Sequence, residues 1–401
     1  MAVALPVRKL SVEQLDLQGK RVFLRTDLNV PLANGGVADD SRLRAALRTI
    51  QHCLKAGARV ILASHLGRPS GKVDPRYSLA PVAKRLAEFL GQPVPLAPDC
   101  VGETTEHRAH ALEPGACLLL ENLRFYPEEE ANDPAFAQAL ARLADVYVND
   151  AFATCHRAHA SIVAVTRYLR PAAAGLLMRR ELEVLGQVLD RPSRPLVAVL
   201  GGAKVADKLA LIQHIVARVD SLLIGGAMAF TFLKALGHDP GRSLVEPELV
   251  ETARKLLAQA RARGLQVRLP VDTVVAASPE RTEEVRTVNI RQIPPAFMGL
   301  DIGPATLARF QEALRPARTV VWNGPMGVFE NPVFARGTVE LAKAVAGSGA
   351  FTVVGGGDTV AAIHRAGVAE KISYVSTAGG AFLAFLAGSE LPGVAALTED
   401  L

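Results

Sequence analysis

The sequence predicts an α/β protein of two domains, each with a parallel β-sheet, joined by a helix. Short apolar runs rich in β-branched residues recur along the chain, and most are continuous, as in strands buried on both faces. Helical patterns separate many of these runs, which is the alternation typical of parallel sheets. The chain has 401 residues, which suffices for two domains of about 100–200 residues each.

Each of these apolar runs predicts a strand, and the residue type that follows the strands differs between the two halves of the chain. Up to about Ala160 they end in charged residues, and after about Pro195 they end in glycine. In chain order the runs are RVFLRTD, ARVILASH, CLLLENLRF, DVYVNDAF, PLVAVLGG, SLLIGG, LPVDTVVA, TVVWNGP, FTVVGGG and ISYVST.

The predicted helices show apolar residues at helical spacing between capping residues. SRLRAALRTIQHCLKAG can be capped by Asp40 or Ser41 and ended by Gly57. Its apolar face holds Leu43, Leu47, Ile50 and Leu54. GDTVAAIHRAG repeats the pattern with Gly367 at its end. A helix over Leu176–Leu189, followed by the Pro-rich RPSRP, is the expected connection between the domains.

Composition and cysteine usage narrow the class of protein. The formal net charge is +5, yet no run of five like charges occurs, so a nucleic-acid-binding role is not indicated. The four cysteines lie far apart without a CxxC motif, which indicates neither a zinc site nor a redox motif and favours a reducing compartment. No apolar stretch reaches the roughly 18 residues that a membrane span needs. We therefore expect a cytoplasmic protein with no membrane partner.

The charged strand ends of the first half predict an anion site. Ligands of open parallel sheets bind beyond the carboxyl ends of the strands, and arginine is suited to bidentate contacts with phosphate and carboxylate. The residues expected at this rim are Arg25, His65, Arg68, Arg124 and Arg157, with Arg42 joining them from the following helix. Taken singly, each could instead be an ordinary surface arginine. Asp27 and Asn29 share one strand face and could accept from ligand hydroxyl groups, or Asp27 could form a purely structural pair with an arginine.

The glycine-rich strand ends of the second half predict a nucleotide site. Glycine lets backbone N–H groups approach a ligand, and VVGGGDTVAA runs from strand through turn to helix. Asp358 in this stretch could hold Mg²⁺ on a nucleotide phosphate or simply cap the helix. STAGGAFLAFL and LGGAKVADKLALI repeat the layout.

Two lysines sit unfavourably at the start of a predicted helix in LGGAKVADKLALI. Lys204 and Lys208 are four residues apart, so we expect both on one helical face near the positive end of the helix dipole. A bound phosphate would reverse this repulsion; two solvated lysines are the alternative.

The chain lacks a P-loop, a GxSxG and an HExxH motif. A phosphorylated small anion in one half and a nucleotide in the other imply direct phosphoryl transfer after hinge closure.

Eleven stretches in order, covering nearly the whole chain, resemble the signatures of the phosphoglycerate kinase family. They are RTDLNVPL, SHLGRP, LLLENLRFYPEEE, YVNDAFATCHRAHAS, AGLLMRRELEVLG, LGGAKVADKLALI, IGGAMAFTFLKALG, LDIGPAT, VWNGPMGVFE, GGGDT and YVSTAGGAFL. The resemblance implies reversible, Mg²⁺-dependent phosphoryl transfer between 1,3-bisphosphoglycerate and ADP, giving 3-phosphoglycerate and ATP.

The resemblance also implies the fold class and the boundaries of the domains. It implies two Rossmann-like domains with parallel β-sheets flanked by helices, joined by a helix and hinge, in a monomer. We expect a 3-phosphoglycerate-binding domain over residues 1–173, a connecting helix over 174–190, a nucleotide-binding domain over 191–387 and a tail over 388–401 that packs on the first domain.

Motif matches assign the expected site residues. The 3-phosphoglycerate set is Asp27, Asn29, Arg42, His65, Arg68, Arg124 and Arg157. The nucleotide set is Gly202, Ala203, Lys204, Lys208, Gly226, Gly299, Glu330, Gly356, Gly357, Asp358 and Thr359, with Asp358 toward the metal and Glu330 toward the ribose. Arg42 and Lys208 would stabilise the phosphoryl group in transfer, helped by backbone N–H groups near Gly379 and Gly380.

Three residues depart from the family's pattern. Ala378 replaces a usual glycine, so this position lacks glycine's access to positive φ and a methyl group could crowd the transfer site. The alternatives are an effect on turnover and a turn that tolerates alanine. Ala305 replaces a common lysine with little expected effect, and Ala227 replaces a frequent glycine, which we expect to tighten slightly the wall near the base. A non-catalytic, two-domain protein that binds phosphorylated anions is the alternative function.

Overall fold

The computed structural model describes residues 8–400, which divide into two compact units. The first unit holds the chain up to Glu183 together with the tail from Glu390, and the second holds Val184–Ser389. The division falls inside the connecting helix, which runs from Leu176 to Asp190 and so closely follows the predicted Leu176–Leu189. No helix of the described chain is both long and apolar enough to cross a membrane.

The strands are numbered in chain order, and each of the ten apolar runs supplies one of them. They are β1 Arg21–Arg25, β2 Leu32–Ala33, β3 Gly36–Val37, β4 Arg59–Ala63, β5 Cys117–Leu119, β6 Val146–Asn149, β7 Ala172–Ala174, β8 Leu196–Leu200, β9 Ser221–Ile224, β10 Gln266–Arg268, β11 Asp272–Ala276, β12 Arg286–Asn289, β13 Met298–Ile302, β14 Thr319–Asn323, β15 Phe351–Gly355 and β16 Tyr374–Ser376. Of these, β2, β3, β7, β10, β12 and β13 lie outside the predicted runs.

The α-helices lie between these strands. They are α1 Ser41–Lys55, α2 Ala80–Leu90, α3 Glu103–His110, α4 Pro127–Glu130, α5 Pro134–Ala141, α6 Leu176–Asp190, α7 Leu209–Ile215, α8 Met228–Ala235, α9 Val250–Ala262, α10 Pro304–Leu314, α11 Arg336–Ala346, α12 Gly357–Arg365, α13 Gly379–Leu386 and α14 Pro392–Ala395. On α1, Leu43 and Ile50 are fully buried as the apolar face predicts. The cap residue Asp40 makes no capping hydrogen bond and pairs instead with Arg44 and Arg85.

Each unit is built on one parallel sheet, which confirms the predicted fold class. The first unit has the order β5-β4-β1-β6-β7 and the second β10-β9-β8-β14-β15-β16. The direction of the strand order reverses between β1 and β6 in one sheet and between β8 and β14 in the other. Ligands of open α/β sheets bind at such reversals, beyond the carboxyl ends of the strands.

One predicted strand belongs to a different kind of sheet. LPVDTVVA supplies β11, which pairs antiparallel with β12 and β13 in a small sheet of the second unit, with a register shift between Val274 and Val275. Its apolar run had no local feature that distinguishes this arrangement from a parallel one.

The cores lie between sheet and helices in both units. In the first, Val22, Leu24 and Val60 from the sheet cluster with Leu43 and Ile50 of α1. In the second, Trp322 of β14 clusters with Phe310 and Leu341 from α10 and α11. All of these side chains are at most 1% exposed, so burial of apolar surface holds the strand ends in place.

Candidate active site

In the first unit, a hydrogen-bonded group of polar residues follows the carboxyl end of β1. Arg42 of α1 donates through Nη1 to Oδ2 of Asp27 at 2.9 Å and to the carbonyl of Asn29 at 3.0 Å. Oδ1 of Asn29 accepts from the N–H of Gly67 at 2.8 Å. Asp27 therefore does form the arginine pair that was its structural alternative, and this pair fixes the head of Arg42, which is one-third exposed.

Arg25 lies behind the rim rather than on it, contrary to its predicted place facing the ligand. Its side chain is fully buried. Inside the unit, Nε donates to Oγ of Ser161 at 2.9 Å and Nη2 donates to Nδ1 of His65 at 3.2 Å. Oγ of Ser161 in turn donates to Oε1 of the buried Glu129 at 2.6 Å. The charge of Arg25 is thus balanced inside the unit.

His65 is held as a neutral imidazole with a defined tautomer. Burial, followed by the charges of Arg25 and Arg124, places the pKa of His65 well below its usual value. Because a guanidinium can only donate, Nδ1 accepts from Arg25 and the ring proton sits on Nε2. His65 therefore offers one neutral N–H donor.

Several cations of the predicted set converge at this end of the sheet. Arg124 is 6% exposed and donates through Nη1 to the carbonyl of Gly67 at 2.9 Å. Burial, with the charges of Arg25, Arg124 and Arg157, lowers the pKa of His159 to about 3. Burial, with the charges of Arg25 and Arg157, likewise lowers the pKa of Arg124. Arg68 and Arg157 are exposed, so they remain available to an anion.

In the second unit, glycines let the strand ends pack on one another. A Cβ on Gly201 would lie 2.2 Å from the carbonyl oxygen of Pro325, and one on Gly226 would lie 2.5 Å from the backbone nitrogen of Gly202. The turns after β8, β9 and β14 therefore touch backbone to backbone. These glycines are required for packing, in addition to any approach of a ligand.

The segment from Gly201 to Lys208, which we call the lysine loop, corrects the predicted helix. α7 begins only at Leu209, and residues 206–208 form a 3₁₀ turn. Lys204 lies before this turn, so the two lysines do not share a helical face. Lys204 is exposed, whereas Lys208 is half-buried with Nζ 3.0 Å from where a Cβ on Gly202 would be.

The surroundings of Lys208 shift the pKa of its ammonium group. Burial lowers the pKa of Lys208, while the neighbouring carboxylates of Asp207 and Asp358 act in the opposite direction. Within residues 8–400, Lys208 makes no ion pair or side-chain hydrogen bond. A half-buried ammonium without a partner is suited to an incoming phosphate.

The turn after β15 provides an open helix start with a carboxylate. Gly356, at φ +96°, is the N-cap of α12, so Asp358 lies in the first turn and is not the cap. Asp358 is exposed, and a Cβ on Gly357 would meet nothing within 4 Å. Thr359 is buried and its Oγ1 accepts from the N–H of Gly324 at 2.7 Å, which ties this turn to β14.

The residues fit a magnesium ion only together with a phosphate ligand. Within the described chain, no group of three His, Cys, Asp or Glu side chains could hold a metal. One exposed carboxylate, Asp358, supplies the hard oxygen that Mg²⁺ prefers, and phosphate oxygens and water commonly complete its coordination.

At the helix start of α13 the backbone tolerates Ala378, which was one of the two alternatives. Ala378 is the N-cap at φ −108°, a conformation that alanine adopts without strain, and its side chain is fully buried. Gly379 and Gly380 follow in the first turn, and a Cβ on Gly379 would meet nothing within 4 Å. The methyl group of Ala378 therefore lies inside the unit and leaves the N–H groups of the turn open.

The remaining predicted nucleotide residues line other surfaces of the second unit. A Cβ on Gly299 would lie 2.0 Å from the ring of Phe230, so Gly299 brings β13 against α8. Glu330, Ala203 and Ala305 are exposed, and the helix start that contains Ala305 is capped by the buried carboxylate of Asp272.

Sequence reasoning missed the carboxylates that shape these turns. Glu129, Glu246, Asp272 and Asp301 accept backbone N–H groups from distant segments. For Asp272 and Asp301, a lone carboxylate within an apolar strand run was the available signal. Glu129 and Glu246 lie in polar stretches and offered none.

Comparisons with known proteins find similarity over nearly the whole chain. The family model described as "Phosphoglycerate kinase" matches residues 12–389. A phosphoglycerate kinase of Pelotomaculum thermopropionicum is 55% identical over 98% of this chain and 99% of its own, and one of Koribacter versatilis is 54% identical over the same shares. The solved phosphoglycerate kinase of Coxiella burnetii aligns with a TM-score of 0.89 at 43% identity, covering 97% of this chain and 98% of its own. That of Pyrococcus horikoshii aligns with a TM-score of 0.85 at 36% identity over the same shares.

Proposed function

The chain belongs to the phosphoglycerate kinase family, and from this premise we propose how its own residues perform the family's reaction. The activity is reversible phosphoryl transfer between 1,3-bisphosphoglycerate and ADP, giving 3-phosphoglycerate and ATP in glycolysis. The observation that carries the residue assignment is the position of both candidate sites, each at the reversal of strand order in its own sheet. No finding supports the non-catalytic alternative.

The first unit would bind 3-phosphoglycerate through its cation-rich strand ends. Arg68, Arg124 and Arg157, with the neutral N–H of His65, would hold the anionic groups. Asp27 and Asn29 would face the substrate hydroxyl. The pair with Asp27 orients Arg42 toward the transferred group. Burial and neighbouring like charges lower the pKa of Arg124, a cost that a bound anion reverses.

The second unit would bind the nucleotide along its glycine turns. The backbone of Gly202 and Ala203 and the ammonium of Lys204 would contact phosphates, while Gly226, Gly299 and Glu330 would border the nucleoside. The turn from Gly356 to Thr359 would present N–H groups at the start of α12. Asp358 would hold Mg²⁺, which when bound withdraws charge from the phosphate oxygens.

Catalysis would consist of positioning and charge stabilisation. The acceptor oxygen of 3-phosphoglycerate is a carboxylate with a reference pKa near 4, so it is ionised at pH 7 and needs no general base. Arg42, Lys208 and the N–H groups of Gly379 and Gly380 would stabilise the phosphoryl group during direct in-line transfer. Hinge closure that excludes water remains a prediction, as do a monomeric state, a cytoplasmic location and the absence of nucleic-acid or membrane partners.

A coupled assay with 3-phosphoglycerate and Mg-ATP tests the activity and the role of Arg42 together. We expect turnover by the native chain and a loss of about a hundredfold or more in kcat/KM for Arg42→Ala, since one charge-stabilising donor is removed. Arg48→Ala, an exposed position on the same helix, is the matched control. No turnover by well-folded protein would refute the function. A loss below about tenfold for Arg42→Ala would refute its role alone.

A further inference from the structure

The lysine loop is held by a carboxylate that lies forty residues further along the chain. Oε2 of Glu246 accepts from the N–H of Val205, and Oε1 accepts from the N–H of Ala206 at 3.4 Å. The 3₁₀ turn that follows has no capping side chain of its own. Glu246 thus satisfies N–H groups that would otherwise lack partners at the start of this turn.

Glu246 is itself anchored to α8, the helix that follows the turn of Gly225 and Gly226. Its backbone N–H donates at 3.1 Å to Oγ1 of Thr231, a residue of α8 that is 1% exposed. Glu246 stands at the N-cap position of the 3₁₀ turn Pro247–Leu249, yet its side chain makes no capping bond there. A side chain at the N-cap position usually caps its own turn, whereas the carboxylate of Glu246 binds the backbone of the lysine loop instead.

The carboxylate leaves the two lysines unneutralised. Within residues 8–400, Glu246 forms no ion pair with Lys204 or Lys208, and its two oxygens contact backbone N–H groups instead. Val205 is fully buried, so a ligand in solvent does not reach its N–H. Glu246 therefore binds the backbone of the lysine loop and leaves the side chains of Lys204 and Lys208 available to a ligand.

We propose that Glu246 is a positioning residue for the nucleotide: it fixes the lysine loop so that Lys204 and Lys208 face a phosphate group. This inference rests on the proposed nucleotide site. A carboxylate that merely stood in the place of a phosphate would compete with the nucleotide, and its removal would then tighten binding. A positioning carboxylate has the opposite effect, because an unfixed loop must be ordered when the nucleotide binds.

The test compares three variants with the native chain by calorimetry with Mg-ADP and by steady-state kinetics. We expect Glu246→Ala to raise the Kd for Mg-ADP and the KM for Mg-ATP about tenfold, because hydrogen bonds to a charged acceptor are lost. Glu246→Gln keeps one acceptor oxygen and should show an intermediate rise. The KM for 3-phosphoglycerate should stay unchanged. Glu248→Gln, exposed and two residues away, is the control.

Hydrogen exchange supplies a direct reading of the loop. In Glu246→Ala, the amides of Val205 and Ala206 should exchange faster while those of β8 keep their protection. A native Kd in a folded Glu246→Ala variant, or tighter binding of Mg-ADP, would overturn the proposal. Failure of the native chain to bind Mg-ADP at all would instead overturn the proposed function.

Discussion

At the scale of single residues, the two lysines of the lysine loop have unequal surroundings. Lys204 is exposed, whereas Lys208 is half-buried, close to Asp358 and to the open backbone of Gly202. An exposed ammonium contributes through screened attraction, while a partly desolvated one acts more strongly on charge that develops beside it. Lys208 should therefore act mainly on the rate of phosphoryl transfer, and Lys204 mainly on the affinity for the nucleotide.

We expect Lys208→Ala to lower kcat strongly, by about a hundredfold, with a smaller change in the Kd for Mg-ADP. Lys204→Ala should mainly raise the Kd for Mg-ADP, by a few-fold to about tenfold, and leave kcat within about threefold of native. Single-turnover kinetics and calorimetry measure the two quantities separately. Lys234→Ala, exposed on α8, serves as the control. Equal effects of both substitutions on kcat would contradict this division of roles.

At Ala378, the residue type that is usual for the position does not reveal the backbone conformation. Strain would require a positive φ, as the usual glycine suggested, but the chain takes φ −108° there. The N–H of Ala378 donates to Oγ of Ser376 at 3.2 Å, so the preceding serine sets the turn. Whether a glycine is needed depends on backbone angles that the sequence does not state.

At the scale of elements, buried aspartates fix helix starts across the second unit. Asp272 of β11 accepts from the N–H groups of Ala305 and Thr306 at the start of α10. Asp301 of β13 accepts from the N–H of Gly337 at 2.7 Å at the start of α11. Each carboxylate replaces a local cap and joins a strand of the small antiparallel sheet to a helix, which sets the orientation of both.

Asp301 should make the stability of the second unit depend on pH. Burial raises the pKa of Asp301 to about 7, above the ordinary value of 3.8. The folded state therefore binds more protons than the unfolded state in this range, so the stabilisation is full below about pH 4 and is lost as the pH rises through about 7. The expected loss is on the order of 4 kcal/mol.

Asp301→Asn tests this dependence, with unfolding followed by the fluorescence of Trp322. This residue is the sole tryptophan and lies fully buried in the second unit. We expect the fall in the free energy of unfolding between about pH 4 and 7 to be much smaller in Asp301→Asn than in the native chain. Glu370→Gln, an exposed carboxylate of the same unit, should keep the native slope. An unchanged slope in Asp301→Asn would mean that Asp301 ionises normally.

The sequence predicted elements well where the signal is local. Apolar runs located ten of the sixteen strands of the described chain but missed the short or polar ones, such as β7 and β12. The helix over Leu176–Leu189 was placed to within one residue of its end. Local periodicity failed at Lys204 and Lys208, because Gly202 takes φ +106° and Glu246 binds the backbone of Val205 from forty residues away. Arg25 was misplaced because its buried partner Ser161 lies 136 residues further along the chain. Contacts between distant segments leave no trace in a single local pattern.

At the scale of the whole molecule, the chain returns at its end to the first unit. The N–H of Leu10 donates to the carbonyl of Thr398, and that of Thr398 donates to Ala172, each at 2.9 Å. Ala174 of β7 donates to the carbonyl of Leu10 at 2.7 Å. The first unit is therefore closed by segments from both ends of the described chain.

Lys9 joins these two segments and should contribute to the stability of the first unit alone. Its side chain is 3% exposed, and Nζ donates to the carbonyl of Leu397 at 3.1 Å and pairs with Glu399. Lys9→Met keeps a side chain of similar length but leaves the carbonyl without its donor, at an expected cost of about 1–3 kcal/mol.

Two measurements on Lys9→Met separate the units. Hydrogen exchange in peptides that cover β7 and the tail should become faster, because the tail loses its anchor. The denaturant midpoint reported by Trp322 should stay at its native value, since Trp322 lies in the second unit. Lys20→Met, at an exposed position of the first unit, should change neither quantity. An equal shift in both measurements would show that the two units unfold as one cooperative body. Unchanged exchange in the tail would show that the backbone pairing of Leu10, Ala172 and Thr398 holds the tail without Lys9.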